Sequence, residues 1–377
     1  MEKNLESVLS AVQEAAATSI AADAARVDRD RVFPAAGLRT LADTGAYGLV
    51  VGADVGGLSG GLSALATACE AVGEACASTG MVFLMHSVTA ATIAAGGGPR
   101  AEQVLREMGE GRLLGTLAFS ERGTGAHFYA PELRAERRNG SVSLSGRKSF
   151  VTSGGHADVY LVLLQGEAEG TADAYVIEQD QAGVRFDGAW NGLGMSGNSS
   201  VGMELEGVEL GPDALVGETG KALDLVFAAV APFFLVGLAA VNVGIAAAAA
   251  KTATEHAASR KYPDGTSLAE VQYVQHLLAD MDIGVRTARL LVREAARLGE
   301  AGDESALVAI MEAKVTATET AATVTQSALL ATGGQGYTPA LPIERHLRDA
   351  RAGAVMAPTN AVLRSWIGKA LAGLPVP

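Results

Sequence analysis

The property that most limits what this chain can fold into is a change of texture, from helical to β-rich and back to helical. Up to about residue 112 the sequence is rich in Ala, Leu and Glu. Stretches such as GLSALATACEAVGEACA return small and apolar residues at steps of three and four, the period of a helix face. From GTLAFSERGTGAHFY to about Val216, short runs of β-formers take over (SVSLSG, DVYLVLLQ, DAYVIEQ, SVGMELEGVEL), bounded by Gly, Asn and Asp. From Lys221 onward the helical period returns at about 221–258, 267–299, 303–331 and 358–373, punctuated by KYPDGTS, EAGDES and TGGQGYTPALP. Long helices joined by short turns pack most economically as a bundle. The expected organisation is α+β and mostly α: an N-terminal helical domain over 1–112, a central antiparallel β-domain over 113–220, and a C-terminal four-helix bundle over 221–377.

Composition narrows the function classes. The chain has 377 residues, 49% of them hydrophobic, which suffices for a sizeable core. Its apolar runs are expected to fall short of the roughly 20 residues that span a bilayer, so no membrane role is expected. A formal net charge of −13 speaks against nucleic acid, because phosphate binding needs clustered Lys and Arg. The opening MEKNLESVLSAVQEAAATS carries early acids and no basic segment leading into an apolar core, which points to the cytoplasm. Cys69 and Cys76, seven apart in an Ala-rich helical segment, have no metal-ligand or redox spacing and are expected to be buried small apolar residues.

Three segments carry candidate chemistry. In AFSERGTGAHFYAPE (118–132), Gly123 and Gly125 beside Ser and Thr hydroxyls allow close backbone approach to a ligand, and free N–H groups there can cradle an anion; an ordinary Gly-rich turn reads the same way. In GRKSFVTSGGHADVYLVL (146–163), Phe150 and Thr152 fall on one face of a strand, which suits either a planar cofactor or a core Phe with a surface Thr. In ATGGQGYTPALPIERHLRDARAGAVMAPTNAVLR (331–364), a Gly-rich turn precedes Arg345, Arg348, Asp349 and Arg351, a set fit for a clasp between helices or for phosphates.

Taken in order, these segments resemble the acyl-CoA dehydrogenase superfamily of flavoproteins over nearly the whole chain. Ser120-Glu121-Arg122-Gly123-Thr124-Gly125-Ala126-His127 is similar to the family's T-E-P-G-A-G-S-D. Phe150-Val151-Thr152-Ser153-Gly154-Gly155 is similar to W-I-T-N-G-G, and GGQGYTPALPIERHLRDAR to G-G-x-G-Y-x-x-x-x-x-x-E-R-x-x-R-D-A-[KR]. The resemblance implies FAD as cofactor, bound between the β-domain and the bundle of a homotetramer or homodimer. By matching positions, Phe119, Ser120, Gly125, Phe150 and Thr152 would contact the flavin and its diphosphate. Arg260, Gln272, Gly333 and Gly334 would serve the adenosine end across a subunit contact, with Thr359 near the flavin. Met195, Ser196, Asn198 and Ser199 fall where the family meets its substrate's carrier. Phe233, Phe234, Met356 and Trp366 are candidates to line or support the acyl site. Two departures stand out: Ala126 replaces the signature serine, and Phe150 the larger indole. The segment SRKYPDGTSLAEVQ also carries one extra residue beside Arg260.

The family's dehydrogenases remove a proton next to a thioester carbonyl while hydride leaves the next carbon, which requires a positioned carboxylate. The triplet that matches its usual site, E-G-T, reads Ala357-Pro358-Thr359, and the alternative site on the first bundle helix falls at about Phe234. Three readings follow. In the first, the chain is an FAD-dependent oxidoreductase that performs α,β-dehydrogenation of an acyl-CoA or acyl-carrier-protein thioester by a non-standard base, passing electrons to an electron-transfer flavoprotein or to oxygen. His86 is the candidate base, because imidazole titrates near neutral pH. The second is a flavin monooxygenase of the same superfamily, and the third a catalytically silent ligand-binding paralogue.

Overall fold

The computed structural model describes residues 4–138 and 141–376, so the outer limits expected for the first and last domains, residues 1 and 377, lie outside the described residues. The chain opens with α1 (Leu5–Ala15), started by Asn4, whose side chain accepts a hydrogen bond from the Ser7 amide at 2.9 Å. A π-turn at Ala16–Ile20 joins α1 to α2 (Ala21–Arg29). Four further helices follow: α3 (Ala35–Thr44), α4 (Gly61–Ala75), α5 (Ala77–Gly96) and α6 (Ala101–Gly109).

The next segment forms two four-stranded sheets. One, in the order β1 (Gly115–Ala118), β4 (Val159–Gln165), β5 (Ala172–Glu178), β8 (Leu215–Val216), is nearly all buried; the other is ordered β2 (Ala135–Arg138), β3 (Ser141–Val151), β7 (Val201–Leu210), β6 (Val184–Asp187). Most pairs are antiparallel, as the short alternating runs require, but β1 and β4 run parallel with Gly115 opposite Val159. Parallel neighbours need a long crossover. Here β2 and β3, strands of the other sheet, supply it.

The third part holds α7 (Ala222–Leu225), a second π-turn at Val226–Val230, α8 (Ala231–Ser259), α9 (Gln272–Ala301), α10 (Ala306–Thr332), α11 (Ile343–Asp349), α12 (Ala352–Val355) and α13 (Asn360–Leu371). The bundle consists of α8, α9, α10 and α13. Helices α4 and α8 approach closely because Gly73 lies against the Val241 backbone: a Cβ there would stand 2.8 Å from the Val241 carbonyl oxygen.

The expectation about apolar runs is corrected. Ala77–Gly96 and Ala222–Ser259 are long and apolar enough to cross a membrane by length and composition. Each is instead an inner helix of this fold, with 83% and 67% of its apolar window buried. Cys69 and Cys76 are buried and unpaired, and burial raises both thiols above their ordinary range.

Candidate active site

Between the β-sheets, α5 and the start of α8 lies a cavity of about 540 Å³. The loop after β1 forms one part of its wall through Phe119, Ser120, Glu121, Arg122 and Gly125. Phe150 and Thr152, at the end of β3, form another, joined by Trp190, Met195, Asn198 and Ser200. Opposite stand Met81 and Met85 of α5, Val230 and Phe234, and the turn holding Met356 and Ala357.

The 120–127 loop is shaped to receive an anion. Among the described residues the backbone N–H groups of 122–126 have no hydrogen-bond partner, although the His127 amide donates to the Thr124 carbonyl at 2.9 Å. Gly125 has φ +55, a conformation most side chains avoid, and the space where its Cβ would lie is open. The loop is pinned by a buried ion pair invisible in the motif: Lys148 Nζ lies 2.5 Å from Glu121 Oε1. Glu121 Oε2 accepts from the Glu132 and Leu133 amides, each at 3.0 Å. Burial draws the Lys148 ammonium down to about 8 against the opposing pull of the carboxylate.

The adjoining wall is held in uncommon backbone conformations. Phe150, Ser153, Met195 and Ser199 all have positive φ without being glycine, and the β3–β7 register slips between Lys148 and Val151. Phe150 and Thr152 both line the cavity; Phe150 is 70% exposed and its ring meets Trp190 edge-on. Thr152 Oγ1 lies 3.1 Å from Ser200 Oγ. Met195 is fixed by its amide, which donates to Asp349 Oδ1 at 2.6 Å; burial holds that carboxyl up at about 6. Asn198 is 1% exposed and its Oδ1 has no partner.

The proposed base does not survive the geometry. His86 is wholly buried on α5; its Nδ1 accepts from the Gly115 amide at 3.2 Å, so Nε2 carries the hydrogen facing the Tyr47 carbonyl at 3.1 Å. Both nitrogens are spent on backbone, and burial pulls the imidazole down to about 4. His86 holds α5 against β1 and the Tyr47 turn, outside the cavity lining.

Ala357 and Phe234, at the two positions where a carboxylate is expected, both line the cavity, as does Met356. The Met356–Pro358 turn is held from behind by Lys314, a fully buried residue of α10 whose Nζ donates to the Pro358 carbonyl at 3.0 Å and to Asn360 Oδ1 at 2.8 Å. Burial draws that ammonium down to about 7. Thr359 caps α13 through its Oγ1, which accepts from Val362, and stands behind the cavity rather than in its lining.

Other expected residues lie elsewhere. Ser196 is turned from the cavity, its Oγ donating to Asp28 at 2.8 Å, and Phe233 packs half-buried against the core. Ser199 donates to the Gly154 carbonyl, and Trp366 sits behind Tyr129. The arginine cluster resolves as a clasp: Arg348 binds Asp28 and Glu344. Arg260, Gln272, Gly333 and Gly334 are exposed at the far ends of the bundle helices, away from this cavity.

A flavin fits these residues. Its diphosphate would meet the loop at Arg122 and Gly125, which line the cavity, and its ring would find apolar cover with the Ser120 and Thr152 hydroxyls at the edge. Phe119, Trp190 and Leu117, all in the cavity lining, would supply that cover.

Comparison with known proteins agrees. The family models described as acyl-CoA dehydrogenase N-terminal, middle and C-terminal domains match residues 2–112, 116–208 and 236–372. Cyclohex-1-ene-1-carbonyl-CoA dehydrogenase from Geobacter metallireducens is 31% identical over 368 residues, 96% of either chain. The human mitochondrial short-chain specific acyl-CoA dehydrogenase is 29% identical over 90% of this chain and 83% of its own. The structure of butyryl-CoA dehydrogenase from Megasphaera elsdenii superimposes with a TM-score of 0.92 at 25% identity, covering 98% of each chain. Fold, motif order and these matches agree that the chain belongs to the acyl-CoA dehydrogenase family.

Proposed function

We propose that this protein is an FAD-dependent oxidoreductase that dehydrogenates an acyl thioester. The observation that carries this reading is a single cavity with an anion-receiving loop on one side and an apolar chamber on the other. Bound FAD supplies the hydride acceptor. The protein's part is placement: the 122–126 amides and Arg122 would hold the diphosphate, while Phe119, Phe150 and Trp190 would cover the ring. Met81, Met85, Val230, Phe234 and Met356 keep the acyl chamber apolar and exclude water from it. The Glu121–Lys148 pair keeps the loop rigid and takes no part in proton transfer.

An electron-transfer flavoprotein is the proposed acceptor, supported by the likeness, at a TM-score of 0.92 and 25% identity, to a solved structure described as the electron transferring flavoprotein of Acidaminococcus fermentans. A second copy of this chain would complete the cofactor's adenosine end. Exposed Arg260, Gln272, Gly333 and Gly334, together with the exposed apolar Tyr273, Ile283 and Leu290 on α9, support that assembly.

The test is an anaerobic absorbance titration of FAD-loaded protein with a panel of acyl-CoA thioesters. Bleaching of the flavin band by any member is expected. A panel that leaves the band intact, in protein that dithionite reduces normally, would sink the reading.

A further inference from the structure

Part of the chamber's helical wall hangs on a buried cation. The turn between α12 and α13 puts Met356 and Ala357 into the cavity lining. Among the described residues, neither the Met356 nor the Pro358 carbonyl accepts a backbone hydrogen bond. Lys314 of α10, at 0% exposure, serves both. Its Nζ donates to the Pro358 carbonyl at 3.0 Å and to the Met356 carbonyl at 3.4 Å, and a third hydrogen goes to Asn360 Oδ1 at 2.8 Å. Asn360 is fixed in turn by Thr318, to whose Oγ1 its Nδ2 donates at 2.9 Å.

An ammonium carries three hydrogens, and here it meets three acceptors. A neutral amine carries two, and would turn its lone pair toward the third acceptor. The longest of the three bonds, to Met356, is the one it would surrender, and Met356 belongs to the cavity lining. Burial favours the neutral form and draws this group down to about 7. The opposing charge is Glu319, farther along α10, which is shared with Arg364 and the Asn360 amide of α13. From α8 comes only the uncharged Asn242, which with Thr318 abuts Gly353 of α12. Among the described residues, Glu319 is the charged group that acts on Lys314.

We propose that Lys314 is a positioning residue for the acyl group: its ammonium sets Met356 and Ala357 in the chamber wall, and loss of its proton frees that wall and weakens acyl binding. This rests on the acyl-thioester reading above and adds a protonation control to it. The ammonium never touches the acyl group; it acts through the turn. The wall is held while Lys314 is charged and loosens as rising pH removes the proton. Two other buried groups titrate nearby, Lys148 at about 8 and Asp349 at about 6. Both act on the β side, through the 120–127 loop and Met195, so the assignment to Lys314 is made by its variants.

The experiment titrates FAD-loaded protein with the pantetheine thioester of trans-2-octenoic acid and reads the shift of the flavin absorbance band. This probe is already unsaturated at the bond in question and has no group that titrates between about pH 6 and about pH 8.5. Its dissociation constant for wild type should rise about fivefold across that range, the scale of one weakened charge-assisted hydrogen bond. Lys314→Arg should bind tightly and Lys314→Met weakly at both ends, each without the pH dependence, and both should match the wild-type FAD affinity at the acid end. Both variants lack the ionisation, so either one that folds carries the comparison. Hydrogen exchange of the 354–360 segment, corrected for intrinsic rates, should show about fivefold less protection at the alkaline end in wild type and no such change in the variants. A variant that keeps the wild-type pH dependence, or a wild type without one in either measurement, overturns the inference and leaves the acyl-thioester reading standing. A probe that binds at neither pH, with FAD in place, counts against that reading and takes the inference with it.

Discussion

The two walls of the cavity differ in kind. The β wall is dense with polar devices: five unpartnered amides, a buried ion pair, paired hydroxyls and non-glycine residues at positive φ. The helical wall, built from α5, the start of α8 and the 356–357 turn, offers methionines, Val230, Phe234 and Ala357. Groups that would grip a cofactor are thus on one side, and groups that would move a proton are missing from the other. Binding and proton transfer are separable properties in this scaffold, because different elements carry them. A substitution on one wall should leave the other wall's property intact.

The sharpest way to break that separation is to put an acid on the helical wall. Ala357→Glu places a carboxylate on a half-buried turn that Lys314 already anchors. If the rest of the site is competent, flavin reduction by simple saturated acyl thioesters should rise by about 10²–10⁴, the range of a positioned general base. FAD affinity should not change. Stopped-flow absorbance and a fluorescence titration check the two halves; a tight-binding variant with no gain in rate would show that the helical wall misplaces more than one side chain.

On the β wall the largest effect comes from the ion pair. Lys148→Met leaves the Glu121 carboxylate, 6% exposed, without its buried cation. Breaking one side of such a pair costs about 3–5 kcal/mol. Urea unfolding should show that loss, and adding Glu121→Gln should recover part of it. Gly125→Val acts more locally. A β-branched residue at φ +55 costs about 1–2 kcal/mol; with open space around it the loop can leave that conformation, so the change should appear as roughly tenfold weaker FAD binding with less than the full cost in urea unfolding.

What the sequence disclosed follows the same division. Helical and β textures, and the glycines of 123–125, are local signals, and they located the domains and the loop. Phe119, Ser120, Gly125, Phe150 and Thr152 converge on one cavity because each sits in a motif whose spacing fixes its backbone. Lys148 was legible only as the third residue of GRKSFV; that it reaches Glu121, 27 positions away, depends on how β3 passes the 120–127 loop. Trp190, Met81 and Met85 were missed because a lone aromatic or Met on an apolar helix looks like core. The parallel β1–β4 pair was missed because short β runs do not encode strand direction. Apolar windows such as 77–96 were misjudged since scattered Thr, Ser and His break the run by eye while leaving its mean hydropathy high.

His86 shows why residue type alone misleads, and it yields the smallest effect. A histidine on an apolar helix beside the expected channel has the chemistry of a base, but its hydrogen bonds to Gly115 and Tyr47 are those of a structural strut. His86→Gln should therefore leave turnover within about twofold while lowering stability by about 1 kcal/mol at pH 7 through one weakened buried hydrogen bond. The pH dependence gives a second reading. The folded imidazole is depressed to about 4 from an ordinary 6.5, so the unfolded chain binds the proton first as pH falls. Its contribution is fully present above 6.5 and declines between 6.5 and 4. Wild type should lose about 1 kcal/mol from this residue between pH 7 and 5.5, a loss that glutamine cannot suffer, so the gap between the two proteins closes on acidification. Urea unfolding at the two pH values checks it. A gap that stays constant, or turnover that collapses in the glutamine variant with FAD still bound, would return His86 to the chemistry and undo the division between the walls.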